Sequence, residues 1–272
     1  MMMFQHRHVD AGGLDTHYLE AGEGSPIVLI HGGGAGADAE GNWANLIPML
    51  AAHHRVLAPD MVGFGRSAKP GGVDYEYSQP GREAHIIAWL EALDIGPAML
   101  VGNSMGGLTA LGVSVDRPDL VSGLVLMGSA GLPVPPSPQL RAIIEYDYSA
   151  EGMARIVDAL TGPDFRAPDG MVDYRLNLST EPDTRRAYDR IVAWQKANHG
   201  LEIPEARIAA VTVPTLVMAG KDDGVVPVAN AYRFLDLIPQ SWGAILPRCG
   251  HWPMIEFPEI FTGLVRRFAG QG

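Results

Sequence analysis

Residues 98–111 read AMLVGNSMGGLTAL. An apolar run ends at Gly102, a serine stands two residues later, and two more glycines lead into a helical pattern. A continuous apolar run of this length fits a strand buried on both faces. The stretch therefore reads as strand, sharp turn, helix. GNSMG (102–106) matches G-x-S-x-G, in which a strained turn lifts a serine oxygen above the edge of a sheet. The helix that opens at Met105 aims its first amides at the same spot, where negative charge would gather. A plain serine cap after a glycine turn would also satisfy the five residues. Their position between strand and helix favours Ser104 as a nucleophile.

Working outward, the same alternation recurs along the chain. IVLI (27–30), RVLAP (55–59) and GLVLMG (123–128) are short apolar runs, as are PTLVMAG (214–220) and GAILP (243–247). Helical patterns lie at 82–94, 105–116, 227–238 and 257–269. Strands alternating with helices give an α/β fold: a mostly parallel sheet flanked by helices, with right-handed crossovers. The alternation breaks once, over residues 129–213, far more chain than one crossover needs. That stretch opens with Pro-rich LPVPPSP (132–138) and carries about four helical patterns. An inserted helical lid over 134–205, on a core formed by 1–133 and 206–272, accounts for it. An independent second domain is the other arrangement, but the sheet pattern resumes afterwards.

A serine hydroxyl needs a base, and the base needs an acid to fix its tautomer. Of nine histidines, His251 stands in CGHWP (249–253), between GAILP and the last helix. That is the carboxyl edge of the sheet, where α/β proteins place their chemistry. His31 also ends a strand, but the glycines after it suit a loop support. For the acid, PTLVMAG runs into Lys221-Asp222-Asp223-Gly224. The spacing G-x-x-D-x-x-x-P in GKDDGVVP selects Asp223, leaving Asp222 to solvate or cap the loop. An oxyanion would take the amide of Met105 and one from HGGGAGAD (31–38), with Gly33 favoured because a bare glycine amide can approach substrate closely.

The same glycines fit G-x-G-x-x-A after a strand, with Asp60 after the next one, as in a dinucleotide site. Against this, DAEGNWANLIPML makes a poor first helix, and Ser104, Asp223 and His251 would be left without a role. A net charge of −11 and pI near 5.2 argue against nucleic acid or an anionic membrane surface as partner. No apolar run is long enough to span a membrane. MMMFQHRHVD lacks a signal-peptide core. The single cysteine, Cys249, forms no intrachain disulfide, so a cytoplasmic setting is expected. It reads as a packed small hydrophobe. There is neither C-x-x-C nor H-E-x-x-H, so no metal and no cofactor are expected.

The order Ser104, Asp223, His251 is that of the α/β-hydrolases, which the chain resembles over nearly its whole length. Within them it is most similar to the meta-cleavage product hydrolases of aromatic degradation, carbazole-type branch. The stretches that carry the resemblance are HGGGAGADAEGNWANLIP, APDMVGFGRSAKP, LVGNSMGGLTALGVSV, LVLMGSAGL, GKDDGVVPV and CGHWPMIE. It implies hydrolysis of a carbon–carbon bond in a 2-hydroxy-6-oxohexa-2,4-dienoate, with Ser104 as nucleophile, His251 as base and proton shuttle, and Asp223 orienting it. It further implies substrate contacts from Gly32, Gly34, Asn45, Asn103, Arg175 and Trp252, with Arg175 meeting the carboxylate. A homodimer is implied as well. A carboxylesterase with the same triad, and a slow ligand receptor on this fold, remain alternatives. Ile144, Tyr148, Met153, Ile156 and Trp194 stand at helical spacing in the insertion. Core packing is expected for most of them, so the 6-oxo substituent is left open.

Overall fold

The apolar runs become the middle of one eight-stranded sheet. The computed structural model describes residues 4–72, 75–198 and 200–270; Met1–Met3 of the N-terminal stretch lie outside them. The strands are β1 (Gln5–Asp10), β2 (Asp15–Ala21), β3 (Pro26–Ile30), β4 (Arg55–Pro59), β5 (Ala98–Asn103), β6 (Val121–Met127), β7 (Thr215–Gly220) and β8 (Ser241–Leu246). Their spatial order is β1-β2-β4-β3-β5-β6-β7-β8. β3 to β8 run parallel, while β1 and β2 join antiparallel at one edge. All six residues of β5 are buried, as expected for a parallel strand covered on both faces.

The β1–β2 hairpin departs from the sequence reading, which placed no strand before residue 27. Its outer member, QHRHVD, is polar and largely exposed because it is the edge strand of the sheet. An apolar run could not mark it. Residues 39–51 hold two short helices, α1 (Ala39–Trp43) and α2 (Ile47–Ala51), the second with Pro48 in its first turn. α3 (Gln79–Ala92) and α4 (Met105–Asp116) follow, α4 packed on β5 and β6 and α3 against α4.

Between β6 and β7 come α5 (Pro138–Ile144), α6 (Ala150–Leu160), α7 (Met171–Thr180), α8 (Pro182–Ala197) and α9 (Glu205–Ala209). Ser137 caps α5 by accepting from Leu140 N at 3.0 Å, and Ser149 caps α6 by accepting from Gly152 N at 2.9 Å. α6 buries Met153, Ile156, Val157 and Leu160, the i, i+3, i+4, i+7 stripe of an amphipathic helix. Each such side chain contributes about 1.5–3 kcal/mol on burial. α10 (Val228–Leu237), α11 (Pro253–Glu256) and α12 (Pro258–Ala269) complete the chain. β3 pairs with β4 on one side and β5 on the other, so the connections leave in opposite directions there. Beyond the carboxyl ends of β3 and β5 lies the crevice where α/β sheets bind ligands.

Candidate active site

Ser104 stands at the end of β5 with φ 56° and ψ −119°, a region a non-glycine residue occupies only under constraint. Three hydrogen bonds hold it there. Its amide donates to Met127 O at 3.0 Å, and its carbonyl accepts from Leu108 N and Ala130 N at 3.1 Å each. Gly106 makes the turn possible by close approach: a Cβ there would fall 2.3 Å from His31 O. The start of α4 is thereby pressed onto the end of β3.

His251 and Asp223 meet under this turn. His251 Nδ1 lies 2.7 Å from Asp223 Oδ2, and both side chains are nearly fully buried. The carboxylate only accepts, so Nδ1 carries the proton and Nε2 is left to receive one. The other carboxylate oxygen accepts from Val225 N (2.8 Å) and Val226 N (2.9 Å). Asp222 is exposed and Asp223 buried, which separates the two candidates. Gly128, at φ +50°, floors the pair: a Cβ there would lie 3.0 Å from His251 Nδ1 and 3.3 Å from Asp223 Oδ2. Ser104 and His251 line one cavity of about 410 Å³. Among the described residues the Ser104 hydroxyl has no hydrogen-bond partner. Catalytic contacts of this kind tighten around bound substrate.

The glycine loop closes over the serine. A Cβ on Gly33 would fall 3.1 Å from Met105 Cβ, so the two main chains are neighbours. Gly32, Gly33 and Gly34 all line the cavity, with Met105. His31 supports this loop: Nδ1 donates to Gly32 O at 2.7 Å, and Nε2 accepts from Met61 N at 3.0 Å. Burial holds its imidazole below the usual range, consistent with this neutral, bridging tautomer. Asp60, the ribose ligand of the dinucleotide alternative, is already occupied. It accepts from Ala39 N (2.7 Å), Arg66 N (2.8 Å) and His17 Nδ1 (2.8 Å). Burial alone would raise its pKa, but these bonds outweigh that and keep it low. It fastens α1 from behind, and the helix after the glycines is only five residues long.

Arg175, from α7, enters the opposite wall. It is fully enclosed, and burial pushes its guanidinium down to about 10. Nη2 reaches only Ala35 O, at 3.4 Å, and Nε has no partner. The guanidinium lies 4.7 Å over the ring of Trp252, which also lines the cavity. A buried cation with an unpaired donor costs stability, so its retention suits an anion. Its neighbour Tyr174 donates to Asp38 Oδ2 at 2.6 Å, tying α7 to the glycine loop. Burial raises the Asp38 carboxyl to about 6.

One polar residue differs from expectation. Asn45 is exposed and lies off the cavity wall. The break between α1 and α2 turns it outward. Asn42, one turn earlier on α1, lines the cavity instead, with Oδ1 buried and unpaired. Asn103 does line the cavity, but its Nδ2 donates to Met127 O and His251 O, both at 3.1 Å, and so holds the histidine loop. Of the five insertion side chains singled out, Ile144 alone lines the cavity, and Met153 and Ile156 pack the core. Cys249 is buried, and burial pushes its thiol pKa up, so it is not a reactive thiolate. Among the described residues, no three His, Cys, Asp or Glu side chains are placed to hold a metal ion. No described helix is long and apolar enough to cross a membrane.

A serine on a strained strand–helix turn, a histidine–aspartate pair beneath it and a glycine loop over it define a serine hydrolase of the α/β class. The chain belongs to the alpha/beta hydrolase family, whose model matches residues 27–263, and within it to the meta-cleavage product hydrolases. It is 53% identical, over 96% of its length and 90% of the relative's, to the 2-hydroxy-6-oxo-6-(2'-aminophenyl)hexa-2,4-dienoic acid hydrolase of Metapseudomonas resinovorans. It is 35% identical, over 96% of its length and 95% of the relative's, to a 2-hydroxy-6-oxo-2,4-heptadienoate hydrolase of Pseudomonas putida. A crystal structure of a serine hydrolase involved in carbazole degradation superimposes with a TM-score of 0.92 at 50% identity, covering 99% of this chain and 100% of that one. A meta-cleavage product hydrolase from Pseudomonas fluorescens gives 0.91 at 33% identity, covering 97% of each chain.

Proposed function

We propose that this enzyme hydrolyses the carbon–carbon bond beside the keto group of a 2-hydroxy-6-oxohexa-2,4-dienoate. The products are 2-hydroxypenta-2,4-dienoate and a carboxylic acid. One observation carries the reading: a single cavity joins Ser104 and His251 to the unpaired donor of buried Arg175 and the unpaired acceptor of Asn42. The dienoate carboxylate would pair with Arg175, and the 2-hydroxyl would donate to Asn42 Oδ1. The activities for which the relatives are named agree with this assignment.

Breaking a carbon–carbon bond expels a carbanion, so the electrons need a conjugated acceptor. His251 moves the 2-hydroxyl proton to the dienol carbon, giving a ketone that can act as electron sink. Ser104 Oγ then attacks the 6-keto carbon while His251 Nε2 takes its proton. The amides of Gly33 and Met105 hold the oxyanion. Collapse breaks the carbon–carbon bond and sends its electron pair through the conjugated chain to the 2-keto oxygen, which takes the proton from His251, while the acyl group stays on Ser104. Water, deprotonated by the regenerated His251, attacks the acyl carbon, and that proton returns to Ser104 Oγ as the acid leaves. Asp223 fixes the ring and stabilises its charged form. Helices α5–α8 serve as the lid over residues 134–205, and the glycines at 32 and 34 with Trp252 shape the dienoate end. A homodimer in the cytoplasm goes with the same reading, on the family likeness and the lone, buried cysteine.

The test is incubation with a yellow meta-cleavage compound. Bleaching with one equivalent each of hydroxypentadienoate and acid is the expected result. Turnover of nitrophenyl esters without bleaching would make the protein a carboxylesterase, and binding without turnover of either would make it a receptor.

A further inference from the structure

We propose that Gln195 selects the acyl half of the substrate by hydrogen-bonding an amino or hydroxyl substituent on an aromatic group attached to the reacting carbonyl. The inference rests on the carbon–carbon hydrolase reading above. Tyr188, Val192 and Gln195 all line the cavity from α8. Their i, i+4, i+7 spacing puts them on one face of the helix, and Gln195 lies about 10 Å along the axis from Tyr188. Tyr188 is buried beside Arg175, so α8 runs from the carboxylate end of the cavity to the far end. A substrate anchored on Arg175, with its keto carbon at Ser104, sends its remaining group toward Gln195.

The cavity lining is largely apolar, with Leu132, Leu140, Ile143 and Val192 among it. Lys196 and Glu202 also border it, but both are exposed and stay hydrated. Gln195 is only half-exposed. The one hydrogen bond of its side chain among the described residues is Nε2 to the sulfur of Met105, at 3.9 Å. Sulfur is a weak acceptor, so the carboxamide has unspent capacity beside the residue that follows the nucleophile. An acyl group that covers it without a polar partner strands it, which is costly. Sites of this kind reject analogues that lack the matching group. The contact with Met105 puts the carboxamide within reach of a substituent ortho to the carbonyl.

The experiment compares kcat/KM for 6-(2-aminophenyl) and 6-phenyl dienoates in the full-length enzyme and in Gln195→Leu and the near-isosteric Gln195→Met. The native enzyme is expected to prefer the amino compound about tenfold. Either variant should bring the two substrates within about twofold of each other, by losing rate on the amino compound and, with no carboxamide left to strand, gaining rate on the phenyl compound. Retained cleavage of the phenyl compound shows that the variant is folded. An unchanged preference in both variants, or equal loss on both substrates, overturns the assignment. Failure of the native enzyme to cleave either dienoate is a different outcome and removes the reading on which it rests.

Discussion

Replacing Ser104 by alanine is expected to slow carbon–carbon cleavage at least about a thousandfold, with thermal stability unchanged. The magnitude follows from the loss of a nucleophile that acts as one unit with its base. The stability follows from the local structure. The turn is held by the main-chain bonds of residue 104 to Met127, Leu108 and Ala130, none of which uses the hydroxyl. The backbone strain at φ 56° is present with either side chain. Arg175 and Asn42 are untouched, so the variant should still bind the yellow dienoate, and dissociation constants read from its spectrum should stay within about threefold of the native value. Rapid mixing checks both halves. Cleavage within tenfold of the native rate would mean that water attacks the carbonyl directly and that Ser104 only polarises it.

Arg175→Met should lower kcat/KM about a hundredfold, mostly through KM, while leaving the melting temperature unchanged or higher. The first part is the loss of a charge-assisted, two-pronged contact with the substrate carboxylate. The second part has the opposite sign because the guanidinium is enclosed, hydrogen-bonds only Ala35 O and leaves Nε unpaired. Exchanging an uncompensated buried charge for an apolar side chain of similar length is often neutral or stabilising. A residue kept for the fold would behave the other way. Equal loss of activity and stability, measured by steady-state kinetics and thermal unfolding, would make Arg175 a structural cation.

The central sheet was legible because β3, β4, β5, β6 and β7 are buried on both faces and appear as unbroken apolar runs. The elbow was legible because G-x-S-x-G is local. The edge hairpin was not: QHRHVD carries no apolar periodicity, and its partner β2 is recognised only once paired. In the site, legibility stopped where tertiary contacts began. Asn45 and Asn42 are alike as letters, and only the break between α1 and α2 decides which faces the cavity. Gly128 sat in plain view at the end of a strand run, but its service beneath His251 and Asp223 depends on two loops more than ninety residues further on. Asp38 and Tyr174, and Gln195 above Met105, are likewise pairs that only the folded insertion creates. The Cys249 reading needed only burial and survived, whereas the lid side chains needed a helix phase that spacing alone did not fix.

The convergence of Ser104, His251 and Asp223 on one chemical step is tested most directly by a double-mutant cycle on the pair joined at 2.7 Å. Asp223 touches no substrate and works only through the imidazole. Asp223→Asn alone should slow cleavage about a hundredfold or more, and His251→Ala alone at least about a thousandfold. The measurement is the single-turnover rate of the double variant. It is predicted to match His251→Ala within about threefold, because the carboxylate has nothing left to orient. A double variant slower than His251→Ala by the full factor seen for Asp223→Asn alone would show two independent actions and contradict the triad.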